Sequence, residues 1–274
     1  MKKKISIITV NYNDKPGLIK TLESLFRQTW QDFEYIVVDG NSSDGSKEII
    51  SGYSSKINYA VSEPDSGIYN AMNKGIRAAT GDYLFFLNAG DYFYDDEVLQ
   101  KIQTELDGSI DFYYGNVVFK DGHQERIIEY PDKFSFHFFT YDCICHQASF
   151  IRRTLFDDHF YYNENLKIVS DWEFLIYTIC RQNISYKHLD VIVCYYDFSG
   201  ISSRPESEPL KLSERAQVMT RYFPSFINDY ATMHHYLNSK RIKQFQNILN
   251  NKLAWKLLRI PMDLILMVWP KMKK

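Results

Sequence analysis

Residues 62–91 read SEPDSGIYNAMNKGIRAATGDYLFFLNAGD, and this stretch decides the fold. It predicts an acidic turn, a helix, a glycine break, a buried strand and a second acidic turn. Apolar residues at the spacing of a core-facing helix stripe are Ile68, Ala71, Met72, Gly75, Ile76 and Ala79. We expect Gly81 to end the helix in the left-handed conformation. Tyr83 to Leu87 are too apolar and too few for anything but a buried strand.

Two acidic turns flank this helix and strand, one at Glu63 and Asp65 and the other at Asn88 and Asp91. In an open α/β sheet, ligands bind outside the carboxyl ends of the strands. The sequence therefore predicts that both turns face one crevice. The alternative is that both turns are ordinary acidic surface loops. Either turn considered alone would favour this alternative.

The composition suits one sizeable α/β domain with a small appendage. The chain has 274 residues, of which 45% are hydrophobic and 16% aromatic. A formal net charge of −2 argues against nucleic acid as a partner, because nucleic-acid binders usually carry a strong basic excess. Four cysteines without a signal pattern indicate cytosolic thiols, and no apolar run approaches the ~18 residues of a membrane span. We therefore expect a cytoplasmic protein.

Two further strands should end at the same sheet edge. Ile5 to Val10 leads into the polar turn at 11–14, and Tyr35 to Val38 leads into the polar turn at 39–46. The chain has neither a G-x-G-x-x-G fingerprint after the first strand nor a G-x-x-x-x-G-K-[ST] phosphate loop. The sequence therefore favours phosphate neutralisation by a divalent cation, Mn2+ or Mg2+, held by acidic turns.

Several motifs in this order resemble those of the family 2 glycosyltransferases. They are TVNYN at 9–13, VDGNSSDGS at 38–46, EPDSGIYNAMNKG at 63–75, ATGDY at 79–83 and FLNAGD at 86–91. The likeness is densest over residues 4–100 and continues in isolated matches to about residue 203. The family consists of inverting sugar transferases, and the likeness is to those of bacterial polysaccharide and O-antigen biosynthesis. It implies the GT-A fold, a Rossmann-like mixed α/β sheet flanked by helices, here with a C-terminal helical extension.

The resemblance also implies a donor site for a nucleotide-diphospho-sugar. Asp39 matches the aspartate that hydrogen-bonds the base, and Asp91 is the implied metal ligand. The family usually has Asp-x-Asp where this chain has Asn88-Ala-Gly-Asp91, so an amide and a glycine stand in place of carboxylates. The residues implied to bind the donor are Thr9, Val10, Asn11, Asp39, Asp65, Asn73, Asn88 and Ala89.

A second chemical centre is predicted at residues 170–173. Ser170 and Glu173 fit a capping box that would begin a helix running to Arg181. Asp171-Trp-Glu matches the family's late acidic motif, in which the aspartate is the general base. The alternative is that Asp171 only complements the helix dipole.

Three side chains are candidates for contacts with acceptor or diphosphate: His146, Trp172 and Arg204. A structural histidine and an ordinary solvated arginine are the alternatives for His146 and Arg204. Aromatic residues after Ile110 are expected in strands or ordered loops, including Phe134 to Phe139.

The predicted organisation is a catalytic domain over residues 1–208 and a helical, basic extension over 209–274. Within the first, 1–108 is the nucleotide-sugar half and 109–208 the acceptor and catalytic-base half. Residues 240–274 contain nine Lys or Arg and one acid, Asp263. This amphipathic segment predicts peripheral contact with the inner face of the plasma membrane. Packing against the domain or a partner chain is the alternative, and an oligomer is left open.

The functional prediction is an inverting glycosyltransferase that moves a sugar to the hydroxyl of a lipid-linked glycan. Asp171 would act as general base, and a divalent metal would sit on the diphosphate. The alternative from another class is a non-catalytic nucleotide-sugar binder or scaffold of a polysaccharide assembly complex. A nucleotidyltransferase is disfavoured because the chain lacks a glycine-rich N-terminal phosphate loop.

Overall fold

One mixed sheet of nine strands organises the chain, in a computed structural model that describes residues 4–121, 124–197 and 200–268. The strands are β1 (Ile5–Asn11), β2 (Glu34–Asp39), β3 (Tyr59–Ser62), β4 (Tyr83–Phe86), β5 (Tyr92–Phe93), β6 (Phe112–Asp121), β7 (Gln124–Ile128), β8 (Ser149–Arg152) and β9 (Tyr186–Asp197). Their order is β3-β2-β1-β4-β8-β6-β9-β5, with β7 paired to β6.

Helices connect and flank these strands. They are α1 (Lys15–Phe26), α2 (Ser46–Gly52), α3 (Ile68–Ala78), α4 (Val98–Glu105), α5 (Phe136–Tyr141), α6 (Thr154–Asp158), α7 (Ser170–Cys180), α8 (Glu208–Tyr222), α9 (Ile227–Asn238), α10 (Lys240–Leu249) and α11 (Lys252–Val268). The predicted mixed α/β architecture with C-terminal helices is confirmed.

The first four strands of the sheet order run parallel, which sets the position of the site. β1 pairs in parallel with both β2 and β4, and β2 pairs with β3. Every residue of β1, β2 and β4 is buried, as expected of strands covered on both faces. Asn11 lies opposite Asp39, so the polar turns after β1 and β2 begin at the same height.

The helix predicted between the acidic turns is confirmed as α3. One residue of its predicted core-facing stripe is exposed. Ala71, Met72 and Ile76 are at most 2% exposed, whereas Ile68 in the first turn is 37% exposed. The predicted helix end at Gly81 is wrong. α3 ends at Ala78, and Ala79 already has extended backbone.

Gly81 is instead required by close approach of another strand. A Cβ at this position would lie 2.7 Å from the Ser6 backbone nitrogen and 2.9 Å from the carbonyl carbon of Ile5. The glycine therefore lets the start of β4 pack against the start of β1.

Two other local predictions are wrong for reasons visible in the structure. Phe134 to Phe139 were expected in a strand or an ordered loop, but residues 136–139 are helical, because Ser135 accepts a hydrogen bond from the Phe138 N–H and begins α5. The capping box at 170–173 does not form. Ser170 is already helical, and its hydroxyl accepts a hydrogen bond from the Asn163 N–H.

The chain divides into two compact units, residues 1–218 and 219–274, and the division falls inside α8. The boundary predicted at residue 208 stays a prediction. Among the helices described, none is both long enough and apolar enough to cross a bilayer.

Replacing Gly81 with alanine should destabilise the protein, because the added Cβ meets backbone atoms that cannot rotate away. We expect a loss of about 1–3 kcal/mol in the free energy of unfolding, measured by urea denaturation. Gly52→Ala is the matched control, because a Cβ there has no atom within 4 Å among the described residues. Equal stabilities for the two variants would contradict this account.

Candidate functional site

A cleft of about 740 Å3 opens at the carboxyl ends of β1, β2 and β4. Its lining residues are Val10, Asn11, Tyr12, Asp14, Gly40, Asn41, Pro64, Asp65, Gly67, Ile68, Ala71, Asn88, Ala89, Asp91, His146, Gln147, Tyr196, Asp197, Gly200 and Ser202. The two acidic turns of residues 62–91 therefore face one crevice, as the sequence predicted.

Seven of the predicted site residues line this cleft. They are Val10, Asn11, Asp65, Asn88, Ala89, Asp91 and His146. Sequence reasoning missed Tyr12, Gln147 and Asp197 as lining residues. Tyr12 lies inside the TVNYN motif and Gln147 directly follows the candidate His146, which were the available signals. Asp197 lies in no motif, and only the pairing of β9 into the sheet brings it to the cleft.

Asp39 is fully buried and is absent from the cleft lining. Its carboxylate accepts hydrogen bonds from the Asn11 amide at 2.8 Å, from the Ser42 N–H at 2.9 Å, and from the hydroxyls of Ser42 and Ser62. Burial alone would raise the pKa of Asp39, but these hydrogen bonds outweigh it and lower the pKa. Asp39 thus ties together the turns after β1, β2 and β3, while Gly40 and Asn41 beside it form the wall.

Asp65 brings the acidic turn at 63–65 against the turn that follows β2. Its Oδ1 accepts a hydrogen bond from the Gly67 N–H at 2.9 Å. Its Oδ2 lies 2.6 Å from the place a Cβ on Gly40 would occupy, and the Tyr12 ring lies 3.0 Å from the same place. A side chain at position 40 would therefore push these two groups apart.

The turn at 88–91 is closed by a hydrogen bond, and its last two residues are buried. The Asp91 N–H donates to the Asn88 carbonyl at 3.0 Å, and Gly90 has a φ of +96°, which favours glycine. The Asp91 side chain points inward. Its Oδ1 accepts from the Asp197 N–H at 2.8 Å and its Oδ2 from the Gln147 amide at 2.9 Å. Burial raises the pKa of Asp91 to about 6.

A chain of hydrogen bonds links Asp171 to the cleft. Asp171 Oδ2 lies 3.1 Å from His146 Nδ1, and His146 Nε2 lies 2.9 Å from Asn88 Nδ2. Because an amide nitrogen only donates, Nε2 is the accepting nitrogen and Nδ1 carries the proton toward the carboxylate. Neither nitrogen of His146 is left to accept a substrate proton.

Three donors hold the Asp171 carboxylate. In addition to His146, the Tyr69 hydroxyl and the Trp172 N–H both donate to Oδ1 at 2.9 Å. Burial would raise the pKa of Asp171, but the hydrogen bond from His146, followed by the other two donors, lowers it overall. The side chain is therefore ionised at neutral pH and is 18% exposed.

Two of the residues implied to bind the donor have structural roles. The Thr9 hydroxyl donates to the Leu87 carbonyl at 2.7 Å, inside the sheet. The Asn73 amide bonds both backbone groups of Tyr162 and the carboxylate of Glu164. Asn73 is 1% exposed and fixes the loop that leads into α7, so it positions Asp171 and does not reach the cleft.

Two of the candidate contacts also lie away from the cleft. Trp172 is 1% exposed, and its indole N–H donates to the Phe139 carbonyl at 3.0 Å. It is a core residue and offers no face to a ligand. Arg204 is exposed immediately before the 3-10 turn Pro205–Ser207 and is not a lining residue.

The donor set of the cleft fits a hard divalent cation that is shared with phosphate. Asp91 and Asp197 supply carboxylates. Two amide oxygens, Asn88 Oδ1 and Gln147 Oε1, are buried, and no described residue donates a hydrogen bond to them. Within the described ranges there is no group of three His, Cys, Asp or Glu placed to hold a metal alone. Mg2+ and Mn2+ commonly take one or two carboxylates and complete their shell with substrate oxygens.

Comparison with known proteins identifies the same family that the motifs resemble. The model of glycosyl transferase family 2 matches residues 6–160. A PGL/p-HBAD biosynthesis glycosyltransferase of Mycobacterium bovis (strain BCG / Pasteur 1173P2) is 32% identical over 206 residues, covering 72% of this chain and 78% of the relative.

Two solved structures share the fold. S. aureus TarS 1-349 in complex with UDP-GlcNAc has a TM-score of 0.62 and 18% identity, covering 88% of this chain and 77% of that fragment. The mannosyltransferase PcManGT from Pyrobaculum calidifontis, in complex with GDP-Man and Mn2+, has a TM-score of 0.62 and 14% identity, covering 97% and 81%. The expected GT-A-like architecture is confirmed.

The buried carboxylate of Asp91 should make stability depend on pH. The pKa of Asp91 in the folded protein is about 6, above the ordinary value of 3.8 for an aspartate, so the folded state holds the proton more tightly. Stability due to this group should therefore fall as pH rises from about 4 to about 6, by about 3 kcal/mol in total, and then level off. The measurement is urea unfolding in EDTA, comparing wild type with Asp91→Asn across pH 4–8.

The variant supplies its own reference, because other titrating groups are common to both proteins. The stability of Asp91→Asn relative to wild type should rise across that pH interval. A difference between the two proteins that stays constant with pH would contradict the assignment.

Proposed function

This chain belongs to glycosyl transferase family 2 and transfers a sugar from a nucleotide-sugar donor, and we propose that it does so with inversion to a hydroxyl of a lipid-linked glycan. The observation that carries the proposal is the hydrogen-bonded chain from Asp171 through His146 to Asn88 on the donor cleft. It places an ionised carboxylate beside a cleft of the size that holds a nucleotide.

Asp171 is the proposed general base, and its hydrogen bonds single out one oxygen. Oδ1 accepts from both the Tyr69 hydroxyl and the Trp172 N–H, which uses both of its lone pairs. Oδ2 accepts only from His146 among the described residues, so one lone pair remains. That lone pair is the proposed site that receives the acceptor proton.

The proposed reaction breaks two bonds and forms two. The acceptor oxygen attacks the anomeric carbon from the side opposite the nucleoside diphosphate, while its proton passes to Asp171 Oδ2. The bond from the anomeric carbon to the diphosphate oxygen breaks, and that oxygen keeps the electron pair. When bound, a divalent cation on the diphosphate offsets the negative charge of this leaving group. His146 keeps the Asp171 carboxylate oriented throughout.

The proposed donor contacts come from the turns after β1 to β4. Tyr12 is 69% exposed on the cleft wall, which leaves its ring face available for stacking on a base. Asn11 Oδ1 is buried, receives no hydrogen bond from a described residue, and belongs to a lining side chain. It is a suitable acceptor for an N–H of the base. Asp91 is the proposed anchor of the cation.

Asp171→Asn should abolish transfer without abolishing donor binding, because the side chain is not a lining residue of the cleft. Loss of a general base typically lowers kcat by about 10²–10⁴-fold. The measurement is nucleoside diphosphate release from UDP- and GDP-sugars with a lipid extract as acceptor, alongside nucleotide affinity by calorimetry.

Asp158→Asn is the matched control, since Asp158 is an exposed carboxylate at the end of α6. It should keep wild-type turnover. Wild-type kcat in Asp171→Asn would contradict the assignment of the base.

A surface in the C-terminal unit supports a lipid-linked acceptor. One side of α11 carries a stripe of exposed apolar side chains: Leu253 (71%), Leu257 (70%), Ile260 (60%), Leu264 (58%) and Met267 (81%). Lys252, Lys256 and Arg259 lie on the same helix. We propose that this stripe lies in the interface of an anionic membrane, because an apolar face beside basic residues matches acyl chains and anionic headgroups together.

Leu257→Glu combined with Leu264→Glu should release the protein from anionic vesicles. Wild type is expected to co-sediment with phosphatidylglycerol vesicles more than with phosphatidylcholine vesicles. The double variant should bind about tenfold less, because it replaces apolar contact with negative charge. The control is Gln246→Glu with Asn247→Glu, which adds the same charge at exposed positions of α10.

Two results would contradict the membrane proposal. One is equal vesicle binding by wild type and the Leu257/Leu264 variant. The other is a dimer in light scattering that only that variant disrupts, which would assign the stripe to a second copy of the chain.

A further inference from the structure

Asp197, the last residue of β9, meets the turn at 88–91. Its N–H donates to Asp91 Oδ1 at 2.8 Å. Its own carboxylate lies at the place that a side chain on residue 90 would occupy, because a Cβ built on Gly90 would be 2.6 Å from Asp197 Oδ2. The glycine therefore leaves a space in the turn that a carboxylate from a distant strand fills.

Several charged side chains surround this space. Burial lowers the pKa of Lys20, and the negative charges of Asp197, Asp91 and Asp14 oppose that effect, with Asp197 the strongest of the three. These carboxylates therefore lie close to one ammonium group. Asp14, Asp91 and Asp197 also line the cleft together. Lys120 lies near enough to lower the pKa of Lys20 as well, so the three carboxylates are grouped with two ammonium groups. A divalent cation would be attracted to the carboxylates that line the cleft.

A buried amide oxygen beside the carboxylates points independently to a ligand. Gln147 is 3% exposed and lines the same cleft. Its Nε2 is bonded to Asp91 Oδ2, which fixes the orientation of the amide. Its Oε1 is buried, and no described residue donates a hydrogen bond to it. A buried acceptor without a donor is costly unless something else satisfies it.

We propose that Asp197 is the second carboxylate ligand of the divalent cation, alongside Asp91, and that it substitutes for the side chain absent at Gly90. Gln147 Oε1 completes the oxygen donors from the protein. The inference rests on the proposed function, because phosphate oxygens of the donor supply the rest of the shell. Asp91 has a second role, since its hydrogen bond to the Asp197 N–H keeps the end of β9 against the turn.

Mn2+ binding tests this assignment without measuring turnover. The full-length protein is titrated with Mn2+ in the presence of UDP and, separately, of GDP, and free Mn2+ is followed by electron paramagnetic resonance. Asp197→Asn should weaken Mn2+ binding by about tenfold or more with the nucleotide that supports it. The control is Asp190→Asn, an exposed carboxylate on the same strand, which should keep wild-type affinity.

A second variant approaches the same space from the other side. Gly90→Ala places a Cβ against Asp197 Oδ2 and should weaken Mn2+ binding as Asp197→Asn does. If Asp197→Asn does not fold, Gly90→Ala and Asp197→Glu decide the question. Reduced Mn2+ affinity in both supports the proposal, and wild-type affinity in both overturns it.

The outcomes separate this inference from the proposed function. Wild-type Mn2+ affinity in Asp197→Asn, with binding lost in Asp91→Asn, would overturn the role of Asp197 and leave the transferase proposal intact. A wild-type protein that binds no Mn2+ with either nucleotide, yet releases nucleoside diphosphate in EDTA, would overturn the cation site altogether. The assignment of Asp171 would stand in both cases.

Discussion

Two buried carboxylates hold the cleft in shape, because each accepts hydrogen bonds from segments that are distant in sequence. Asp39 joins Asn11, Ser42 and Ser62, and so fixes the turns after three parallel strands. Asp91 joins Gln147 and the end of β9. A carboxylate that loses its water recovers the cost only through such donors. Hydrogen bonds inside the protein therefore fix the backbone of the cleft walls, and this backbone positions the exposed lining residues.

The hydrogen bonds of His146 connect the cleft with the carboxylate of Asp171. Asn88 lines the cleft, whereas Asp171 lies in the first turn of α7. His146 is bonded at both ring nitrogens, to the Asn88 amide on one side and to the Asp171 carboxylate on the other. The turn at 88–91 and the Asp171 carboxylate are thus linked by two hydrogen bonds. The low pKa of Asp171 keeps that arrangement ionised at neutral pH.

Local patterns predicted β1, β2, β4, α3 and the turns that meet at the cleft, because burial and turn chemistry depend on neighbouring residues. They failed where a distant partner decides the outcome. Gly81 was predicted to end a helix, but a glycine is required there because the Ser6 backbone lies too close for a side chain. Ser170 was predicted to cap a helix, but its hydroxyl accepts a hydrogen bond from the Asn163 N–H. Trp172 adjoins the base in sequence but faces Phe139. Asp197 could not be predicted, since only the pairing of β9 in the sheet brings it beside Asp91.

The glycine at position 90 has a consequence for how this site can change over evolution or in the laboratory. Gly90 has a positive φ, and the Asp197 carboxylate occupies the space that a side chain at position 90 would need. A change at either position therefore affects the packing of the other. An aspartate introduced at 90 alone would collide with Asp197, and removal of Asp197 alone would leave a void. The two positions are therefore expected to covary among relatives, and grafting an Asp-x-Asp sequence into this scaffold would require exchanging both together.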